Sequence, residues 1–349
     1  MRILHVIATA SGWGGLERCV TDLANQQATQ HAVAVAGTES ILQRLSPAVQ
    51  RLILPMQRSR RDPRLWWALR QAVRSFAPEV IHAQAGKAAA LVHSSRWLLP
   101  RLPGVATIHG TKKHLGFLRD FDRVITVSRR AGESLGTIPH TVIWNAIPRT
   151  ERPPLPTDLR AFPFLGRGKP VFASVGRLVE EKGFDVLLRA MKDVEGFLWL
   201  IGDGALRPQL EALTRELGIA GRVWFAGFRP DVPVLMCLAD VMVISSRREG
   251  FPLVLVEALH LQRPTIGTRV AGVEEILPPE WSCDTEDPVA LAELMRKAAR
   301  KLPKLSDDFA PLFALAEREL TLDRAALKIE AVYQEAIESA RARPGQQTT

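Results

Sequence analysis

The sequence has few cysteines and no long uncharged apolar run. Its 349 residues include three cysteines, Cys19, Cys237 and Cys283, which lie far apart and form no Cys-x-x-Cys or Cys/His cluster. This spacing does not match a metal site, so we interpret them as reduced thiols that serve as small apolar side chains. Residues 3–16 carry no Lys, Arg, Asp or Glu but include polar residues and three glycines. They predict neither a membrane-spanning helix nor a signal peptide, so we expect a cytoplasmic protein.

The length and the proline distribution indicate two domains. At about 150 residues per domain, a chain with 46% hydrophobic residues can bury two cores. Six prolines within residues 148–170 predict an extended linker and a hinge. We therefore expect one domain at 1–160, a second at 161–322, and at 323–349 a C-terminal helix that packs back on the first domain, followed by a disordered tail.

Positive charge is concentrated in the first half of the chain. Residues 1–165 hold 22 Lys/Arg against 10 Asp/Glu, whereas residues 166–349 hold 24 against 27. Such a basic half suits nucleic acid, an anionic membrane or a phosphorylated acceptor. No helix-turn-helix, zinc or RNA-binding sheet signature accompanies the charge, so we expect no nucleic-acid partner.

Short apolar runs alternate with helical patterns in both halves. This alternation is typical of parallel α/β sheets, and it predicts two Rossmann-like units. The predicted strands are residues 3–8, 80–83, 105–109 and 124–127 in the first half, and 171–175, 197–201, 223–226, 241–244 and 265–268 in the second. Ligands bind at the carboxyl ends of such strands, so we expect the two sheets to face each other across an interdomain cleft.

Two glutamates, Glu249 and Glu257, bracket the point where the strand at 241–244 gives way to a helix. Pro252 suits the first helical position, because its missing N–H is not needed there. The helix would then present backbone donors from residues 250–254, which attract phosphate. Two carboxylates beside a phosphate site suit an elongated ligand such as a nucleotide sugar.

Several motifs in this order resemble retaining glycosyltransferases of family 4, which have the GT-B fold. The stronger ones are Val175-Gly-Arg177-Leu-Val-Glu-Glu-Lys182-Gly, Ile201-Gly-Asp-Gly204, Phe225-Ala-Gly-Phe228 and Glu249-x7-Glu257. The weaker ones are Gly14-Gly15-Leu-Glu17, Thr107-Ile-His109-Gly and Trp144-Asn145-Ala-Ile. The resemblance extends through the whole second half and is weaker in the first.

The resemblance implies a role for each matching residue of the second half. Arg177 and Lys182 would bind the donor pyrophosphate, Glu257 the ribose hydroxyls and Glu249 the hydroxyls of the transferred sugar. The remaining donor contacts would come from the backbone at Gly250, Phe251, Pro252 and Leu253, with the turn at Phe228 and Arg229 near the base.

The resemblance also implies three roles in the first half. Gly15 would allow a close approach to the donor phosphate, and Glu17 would face the acceptor. His109 would lie beside the reacting sugar carbon, although a histidine at the end of a strand can also be purely structural.

The chemistry of the transfer explains why cations are needed. Breaking a sugar–phosphate bond leaves a diphosphate with growing negative charge. Arg177 and Lys182 can neutralise that charge, so we expect no metal requirement.

Asp120 and Asp122 have the Asp-x-Asp spacing of some metal-dependent glycosyltransferases, but their position just before the predicted strand at residues 124–127 explains both carboxylates without a metal. Gly202 and Gly204 lack the third glycine of a dinucleotide site.

A basic amphipathic helix is predicted after residue 62, with Asp62 and Pro63 as start signals. Its outer face carries Arg60, Arg64, Trp67 and Arg74. A tryptophan among arginines suits the surface of an anionic bilayer, and a solvated basic face is the alternative. If the first interpretation holds, the enzyme is peripheral on the inner face of the cell membrane.

The resemblance implies transfer of a hexose-type sugar from a nucleoside diphosphate, a uridine one, with retention. The acceptor would be a hydroxyl of a cell-envelope glycan or glycolipid, as in lipopolysaccharide-core or polysaccharide assembly. Two alternatives remain: a GT-B-shaped nucleotide-sugar epimerase, and a non-catalytic, membrane-associated protein that binds nucleotide sugars.

Overall fold

The computed structural model describes residues 1–9, 13–110 and 115–342. The tail expected to be disordered, residues 343–349, lies outside the described residues. The contacts divide the chain into two compact units. The first unit comprises Met1–Pro148 together with the chain from Thr321 onward, and the second unit comprises Arg149–Leu320.

Each unit contains one sheet whose pairings are all parallel. The order is β3-β2-β1-β4-β5-β6-β7 in the first unit and β10-β9-β8-β11-β12-β13 in the second. Both follow the Rossmann order, in which successive strands are added first on one side of the first strand and then on its other side. The strands are β1 Arg2–Ile7, β2 Ala32–Gly37, β3 Gln50–Ile53, β4 Val80–Gln84, β5 Gly104–Ile108, β6 Arg123–Thr126, β7 Thr141–Val142, β8 Val171–Val175, β9 Phe197–Ile201, β10 Val223–Gly227, β11 Val241–Ile244, β12 Thr265–Thr268 and β13 Ser282–Cys283.

Helices connect the strands and cover the sheets. In the described residues, the α-helices are α1 Gly15–Gln27, α2 Glu39–Leu42, α3 Pro63–Phe76, α4 Ala85–Ser95, α5 Arg129–Glu133, α6 Phe184–Lys192, α7 Arg207–Glu216, α8 Val232–Leu238, α9 Leu253–His260, α10 Val273–Ile276, α11 Pro288–Glu319 and α12 Leu322–Arg341. None of these combines the length and the hydropathy needed to cross a bilayer.

Both faces of the first sheet are covered, which explains its near-continuous apolar strands. Helices α3 and α4 pack on one face, with Leu69 and Leu91 fully buried. Helices α1, α2 and α12 pack on the other face. The C-terminal helix α12 contributes Ile329 and Tyr333 to that core, so it belongs to the first unit although it follows the second in sequence.

The second half of the proline-rich segment packs on the core of the second unit. The ring of Phe164 stacks on Phe197 with centroids 4.5 Å apart, and the Trp199 indole donates a 2.9 Å hydrogen bond to the Pro163 carbonyl. Nearer the start of the segment, the Arg152 side chain donates a hydrogen bond to the Leu261 carbonyl of the second unit. The contacts therefore divide at Pro148 rather than at residue 160.

Candidate active site

The carboxyl ends of β8 and β11 are adjacent in the second sheet, because Val241 pairs with Phe172. The helices that follow these two strands leave in opposite directions along the sheet, and such a reversal is where doubly wound sheets bind ligands. The loop after β8, residues 176–183, and the loop after β11, residues 245–252, therefore meet at this position. We call them the β8 loop and the β11 loop.

Lys182 and Glu249 form an ion pair between the two loops. Their Nζ and Oε1 atoms are 2.6 Å apart, and the two side chains are 26% and 12% exposed. The Ser246 hydroxyl donates a 2.7 Å hydrogen bond to the same carboxylate oxygen. Pairing compensates much of the cost of burying these charges. The sequence assigned the two residues to different parts of a donor and did not predict that they contact each other.

Arg177 is exposed on the same β8 loop. Among the described residues its guanidinium has no ion-pair or hydrogen-bond partner that the structure records. The Lys182 stem runs alongside the neighbouring Gly176, where a Cβ would lie 3.5 Å from Lys182 Cδ. One cation of the loop is therefore oriented by a carboxylate, and the other projects into solvent.

Gly183 holds the two loops in close contact. Its φ is +60°, and an added Cβ would lie 2.2 Å from the Ser245 carbonyl oxygen. The Ser245 hydroxyl donates to the Lys182 carbonyl at 2.9 Å, and the Arg247 amide donates to the Glu181 carbonyl at 2.8 Å. Only glycine fits this left-handed position without strain and clash.

Arg247 links the β11 loop to two acidic residues outside it. It donates two 2.7 Å hydrogen bonds to Asp185 at the start of α6 and is also paired with Glu286. The hydrogen bond from Arg247 holds the pKa of Asp185 below its usual value, and the hydrogen bond to Asp185 is the main cause of the raised pKa of Arg247. Sequence reasoning missed this cluster, because nothing local connects residues so far apart in the chain.

Helix α9 begins at Leu253, so Pro252 is the capping residue and not the first helical residue as predicted. Its ψ of 122° is extended, which moves the start of the helix by one position. Phe251 is 4% exposed and lies against Gly272, so its ring is part of the core. Glu257 is half-buried on α9.

Phe228 and Arg229 follow β10 in the second sheet. Phe228 is 85% exposed, an unusual position for a large aromatic ring. Arg229 makes hydrogen bonds of 2.8 and 2.7 Å to the Asp231 carboxylate, and this hydrogen bonding lowers the pKa of Asp231. The turn therefore presents one free aromatic face beside a neutralised charge pair.

In the first unit, His109 follows β5 and is half-buried. Its Nε2 lies 3.1 Å from Oε1 of Gln84, the last residue of β4. Gln84 is 2% exposed, and its amide nitrogen contacts the buried rings of His5 and His82. Sequence reasoning missed Gln84, although it ends the strand beside the sheet's point of reversal.

Gly15 is exposed at the first position of α1, which follows β1. Glu17 in the first turn of α1 is 8% exposed. An added Cβ on Gly14 would lie 3.3 Å from Glu17 Oε2, so the carboxylate is folded back against the helix start.

The Asp-x-Asp pair has structural partners. Asp122 accepts a 2.7 Å hydrogen bond from the Gly104 amide at the start of β5, and Asp120 lies 2.6 Å from the His93 ring. No cluster of three candidate metal-ligating side chains occurs among the described residues.

The three cysteines are free thiols. Burial is the main cause of the raised pKa of Cys283, which is about 11.

Comparisons with known proteins match both units. A family model described as Glycosyl transferases group 1 matches residues 157–310, and one described as Glycosyltransferase Family 4 matches residues 13–151. The chain is 30% identical to the lipopolysaccharide core biosynthesis glycosyltransferase LpsD of Rhizobium meliloti over 248 residues, 67% of this chain and 68% of LpsD. It is 40% identical to LpsE of that organism over 113 residues, 32% of each chain.

Among solved structures, the chain is similar to Anabaena HepE in complex with UDP. The TM-score is 0.82 at 21% identity, and the match covers 96% of this chain and 100% of HepE. Two parallel Rossmann sheets in one chain place it in the GT-B fold class. Within that class, the chain belongs to the group 1 glycosyltransferases of family 4.

Proposed function

We propose that the second unit binds a nucleoside diphosphate sugar, with its diphosphate at Arg177 and Lys182. The observation that carries this proposal is the Lys182–Glu249 pair at the reversal point of the second sheet. Glu249 would accept hydrogen bonds from hydroxyls of the transferred sugar while it orients Lys182. Glu257 would bind the ribose, and the backbone of residues 250–253 would hold the sugar and phosphate.

The proposed reaction retains the configuration of the anomeric carbon. The bond from that carbon to the phosphate oxygen breaks, and the acceptor oxygen attacks from the same face. The departing diphosphate takes the acceptor proton, so no separate base is required. His109 would contact the sugar near the reacting carbon, Gly15 would lie near the phosphate, and Glu17 would act on the acceptor side. Nuclear magnetic resonance of the product linkage tests retention, and an inverted anomer contradicts it.

The proposed donor is a UDP-sugar, because HepE, which shares the fold, binds UDP. A thermal-shift screen of nucleotide sugars tests this choice. A ligand at a hundred times its Kd adds about 2.7 kcal/mol to stability, so the correct donor raises the melting temperature measurably. If no nucleotide sugar stabilises the folded protein, the donor proposal is wrong.

The proposed acceptor is a hydroxyl of a lipopolysaccharide-core or polysaccharide intermediate. The names of LpsD and LpsE support this class of acceptor. Incubating the stabilising donor with envelope glycolipids should give a glycosylated product. A change of the donor sugar without any acceptor would instead favour the epimerase alternative. Binding without turnover of any kind would favour the non-catalytic alternative.

No metal enters the proposed mechanism, because two cationic side chains can neutralise the leaving diphosphate. Turnover should be unchanged in excess EDTA. If EDTA abolishes turnover and Mg²⁺ or Mn²⁺ restores it, a metal supplies charge that we assign to Arg177 and Lys182.

We also propose that a basic aromatic face of the first unit binds an anionic membrane. On α3, Asp62 caps the helix through a 2.8 Å hydrogen bond from the Arg64 amide, which confirms the predicted start. Trp67 is 55% exposed, and the Arg70 guanidinium lies 5.4 Å from its ring. Arg64 and Arg74 share the helix face of Trp67 by their spacing. Trp97, 73% exposed, adds a second aromatic side chain through its edge contact with Trp66.

Arginines near anionic lipid contribute about 1 kcal/mol each, and interfacial tryptophans add apolar contact. Co-sedimentation with phosphatidylglycerol vesicles should therefore exceed that with phosphatidylcholine vesicles, and Arg60→Glu/Arg64→Glu should remove the difference. Such binding would hold the enzyme at the cytoplasmic face of the cell membrane. Equal binding to both vesicles would leave a solvated basic face as the explanation.

A further inference from the structure

The Arg247 guanidinium has an acceptor for each of its five N–H groups. Its Nη1 and Nη2 atoms donate 2.7 Å hydrogen bonds to the two carboxylate oxygens of Asp185, and Nη1 also donates to the Glu180 carbonyl at 2.9 Å. Nε donates to one carboxylate oxygen of Glu286, and Nη2 donates to the other at 3.1 Å. A guanidinium carries five donors in a planar fork, so this one is saturated within the second unit.

This saturation distinguishes Arg247 from the cations of the proposed donor site. Arg177 is exposed on the β8 loop, whereas Arg247 would have to break existing hydrogen bonds before it could bind a phosphate. Two carboxylates also compensate its charge, and its side chain is only 23% exposed. Arg247 is therefore suited to supporting the site and not to binding the donor.

The contacts of Arg247 lie on both sides of Lys182 in the chain. The Arg247 amide donates to the Glu181 carbonyl at 2.8 Å, and its side chain donates to the Glu180 carbonyl at 2.9 Å. On the other side of the lysine, Asp185 lies in the first turn of α6. The β8 loop is therefore attached to Arg247 both before and after Lys182.

Glu286 adds a third chain segment to this junction. It lies between β13 and α11 and has a φ of +61°, a left-handed conformation that is unfavourable for a residue other than glycine. Such conformations persist where the surrounding contacts enforce them, and the Glu286 carboxylate is held by Arg247. The segments that follow β8, β11 and β13 therefore meet at one guanidinium.

We propose that Arg247 is a positioning residue that holds Glu249 against Lys182. It lies two positions before Glu249 on the β11 loop, and the pair that it supports has an Nζ–Oε1 distance of 2.6 Å. The β11 loop cannot move away from Lys182 without breaking the hydrogen bonds to Asp185. The geometry of the pair follows from these contacts, whereas its importance for turnover rests on the proposed function.

Arg247→Met tests the proposal, because methionine keeps an unbranched stem but has no donor. We expect kcat to fall about 10- to 100-fold with the UDP-sugar selected by the thermal-shift screen, since small displacements of a contacting group cost that much. Calorimetric titration should give a UDP affinity close to that of wild type. A large loss of UDP affinity with unchanged kcat would make Arg247 a donor ligand and overturn the proposal.

A crystal structure of Arg247→Met tests the geometry without any turnover. We expect the Lys182–Glu249 pair to be separated in the variant and intact in a wild-type crystal. An intact pair in the variant would overturn the proposal whatever the kinetics show. Wild-type turnover in folded Glu249→Gln would instead refute the role that the proposed function gives Glu249, and the structural comparison would remain valid.

A double-mutant cycle shows whether Arg247 acts through Glu249. In a Glu249→Gln background, Arg247→Met should cause little further loss of kcat, because the carboxylate that it positions is already gone. Residues that act through one another give such non-additive effects. Losses that add in free energy would mean that Arg247 supports the fold in general, and they would contradict the proposal.

Asp185→Asn is a milder variant that covers the case in which Arg247→Met does not fold. It removes one of the two carboxylates and leaves the contacts of Arg247 with Glu180 and Glu286. We expect a smaller fall in kcat, again with UDP affinity close to wild type. Wild-type kcat in this variant would contradict the proposal.

Arg222→Met is the matched control. At the other end of α6, Arg222 donates hydrogen bonds of 2.6, 3.2 and 3.3 Å to the carbonyls of Val194, Met191 and Lys192. Its replacement also removes several arginine hydrogen bonds from the second unit, so urea denaturation should show lower stability while kcat stays at the wild-type value. Equal losses of kcat in Arg222→Met and Arg247→Met would reduce Arg247 to a general structural role.

Discussion

The two sheets share one topology but carry opposite chemistry at the point where their strand order reverses. In the second unit, the side chains at this point are charged: Arg177 is exposed, and Lys182, which is half-buried, is paired with Glu249. In the first unit, the equivalent position holds neutral polar groups, with His5 and Gln84 buried beneath His109.

This difference indicates a division of labour. A diphosphate needs cations that remain charged and accessible, and the second unit has such residues at the proposed donor site. The first unit instead places buried neutral polar groups behind His109, the residue that the proposed function puts beside the transferred sugar. The two units therefore suit different parts of the proposed reaction, because function depends on the residues after the strands.

The largest predicted effect comes from removing the charged pair of the second unit. Two charge-assisted contacts at about 1.5 to 3 kcal/mol each are worth roughly 10²- to 10⁴-fold in rate. Lys182→Ala/Glu249→Ala should lose that much kcat/KM in a donor-consumption assay and remain folded. The matched control is Lys169→Ala/Glu195→Ala, which removes a surface pair of 2.8 Å in the same unit. Similar activity of the two double variants would contradict the assignment.

The next effect tests the glycine that joins the β8 and β11 loops. Gly183→Ala should lower the free energy of unfolding by about 3 kcal/mol, because the left-handed backbone and the contact with Ser245 both oppose a Cβ. Gly218 has a similar φ of +70° but no atom within 4 Å of its Cβ position, so Gly218→Ala should cost about 1 kcal/mol. Urea denaturation measures both, and equal losses would mean that the loops do not depend on this close contact.

An intermediate effect concerns acid stability of the first unit. The pKa of His5 is lowered from 6.5 to about 4 by burial, so between these values the unfolded chain binds a proton that the folded protein does not. Stability from this group is complete above pH 6.5 and falls by about 1.4 kcal/mol per pH unit below it, or about 2 kcal/mol at pH 5.

Urea denaturation at pH 7 and pH 5 measures this loss. His5→Met should be less stable than wild type at pH 7 but show a smaller further loss at pH 5. Ser95→Ala removes no titrating group and should keep the wild-type difference. A His5→Met variant with the full wild-type loss would place the acid sensitivity elsewhere.

The smallest predicted effect concerns the exposed aromatic ring after β10. If Phe228 stacks on the donor base, Phe228→Ala should remove about 1 kcal/mol of binding, roughly a fivefold rise in Kd. Calorimetric titration with UDP measures it. Val289, 64% exposed on α11, provides the control Val289→Ala, which should bind as wild type. No change for Phe228→Ala would remove this residue from the donor site.

The sequence predicts the strands that carry the site, but not all of the sheets. The apolar runs at residues 80–83 and 241–244 match β4 and β11, because strands covered on both faces are apolar throughout. Strand β2, residues 32–37, was not predicted, since its alanines have weak strand preference. Strand β3 was missed because it is short and largely exposed at the sheet edge.

Residues of the candidate site were predicted one by one, but their contacts were not. Motif spacing identifies Lys182 and Glu249 individually, yet these residues lie 67 positions apart and meet only through the fold. Gln84 lies 79 positions from His5 and 25 from His109, and no local pattern connects them. Motifs therefore locate side chains at strand ends, while the contacts between those side chains depend on tertiary structure.

The central claim is that Arg177 and Lys182 of the second unit hold the diphosphate of the donor. Calorimetric titration of UDP into wild type, Arg177→Ala/Lys182→Ala and His109→Asn tests it most directly. We predict that the double variant loses about 3 to 6 kcal/mol of binding, while His109→Asn binds UDP as wild type does. UDP affinity in the folded double variant equal to that of wild type would contradict the account.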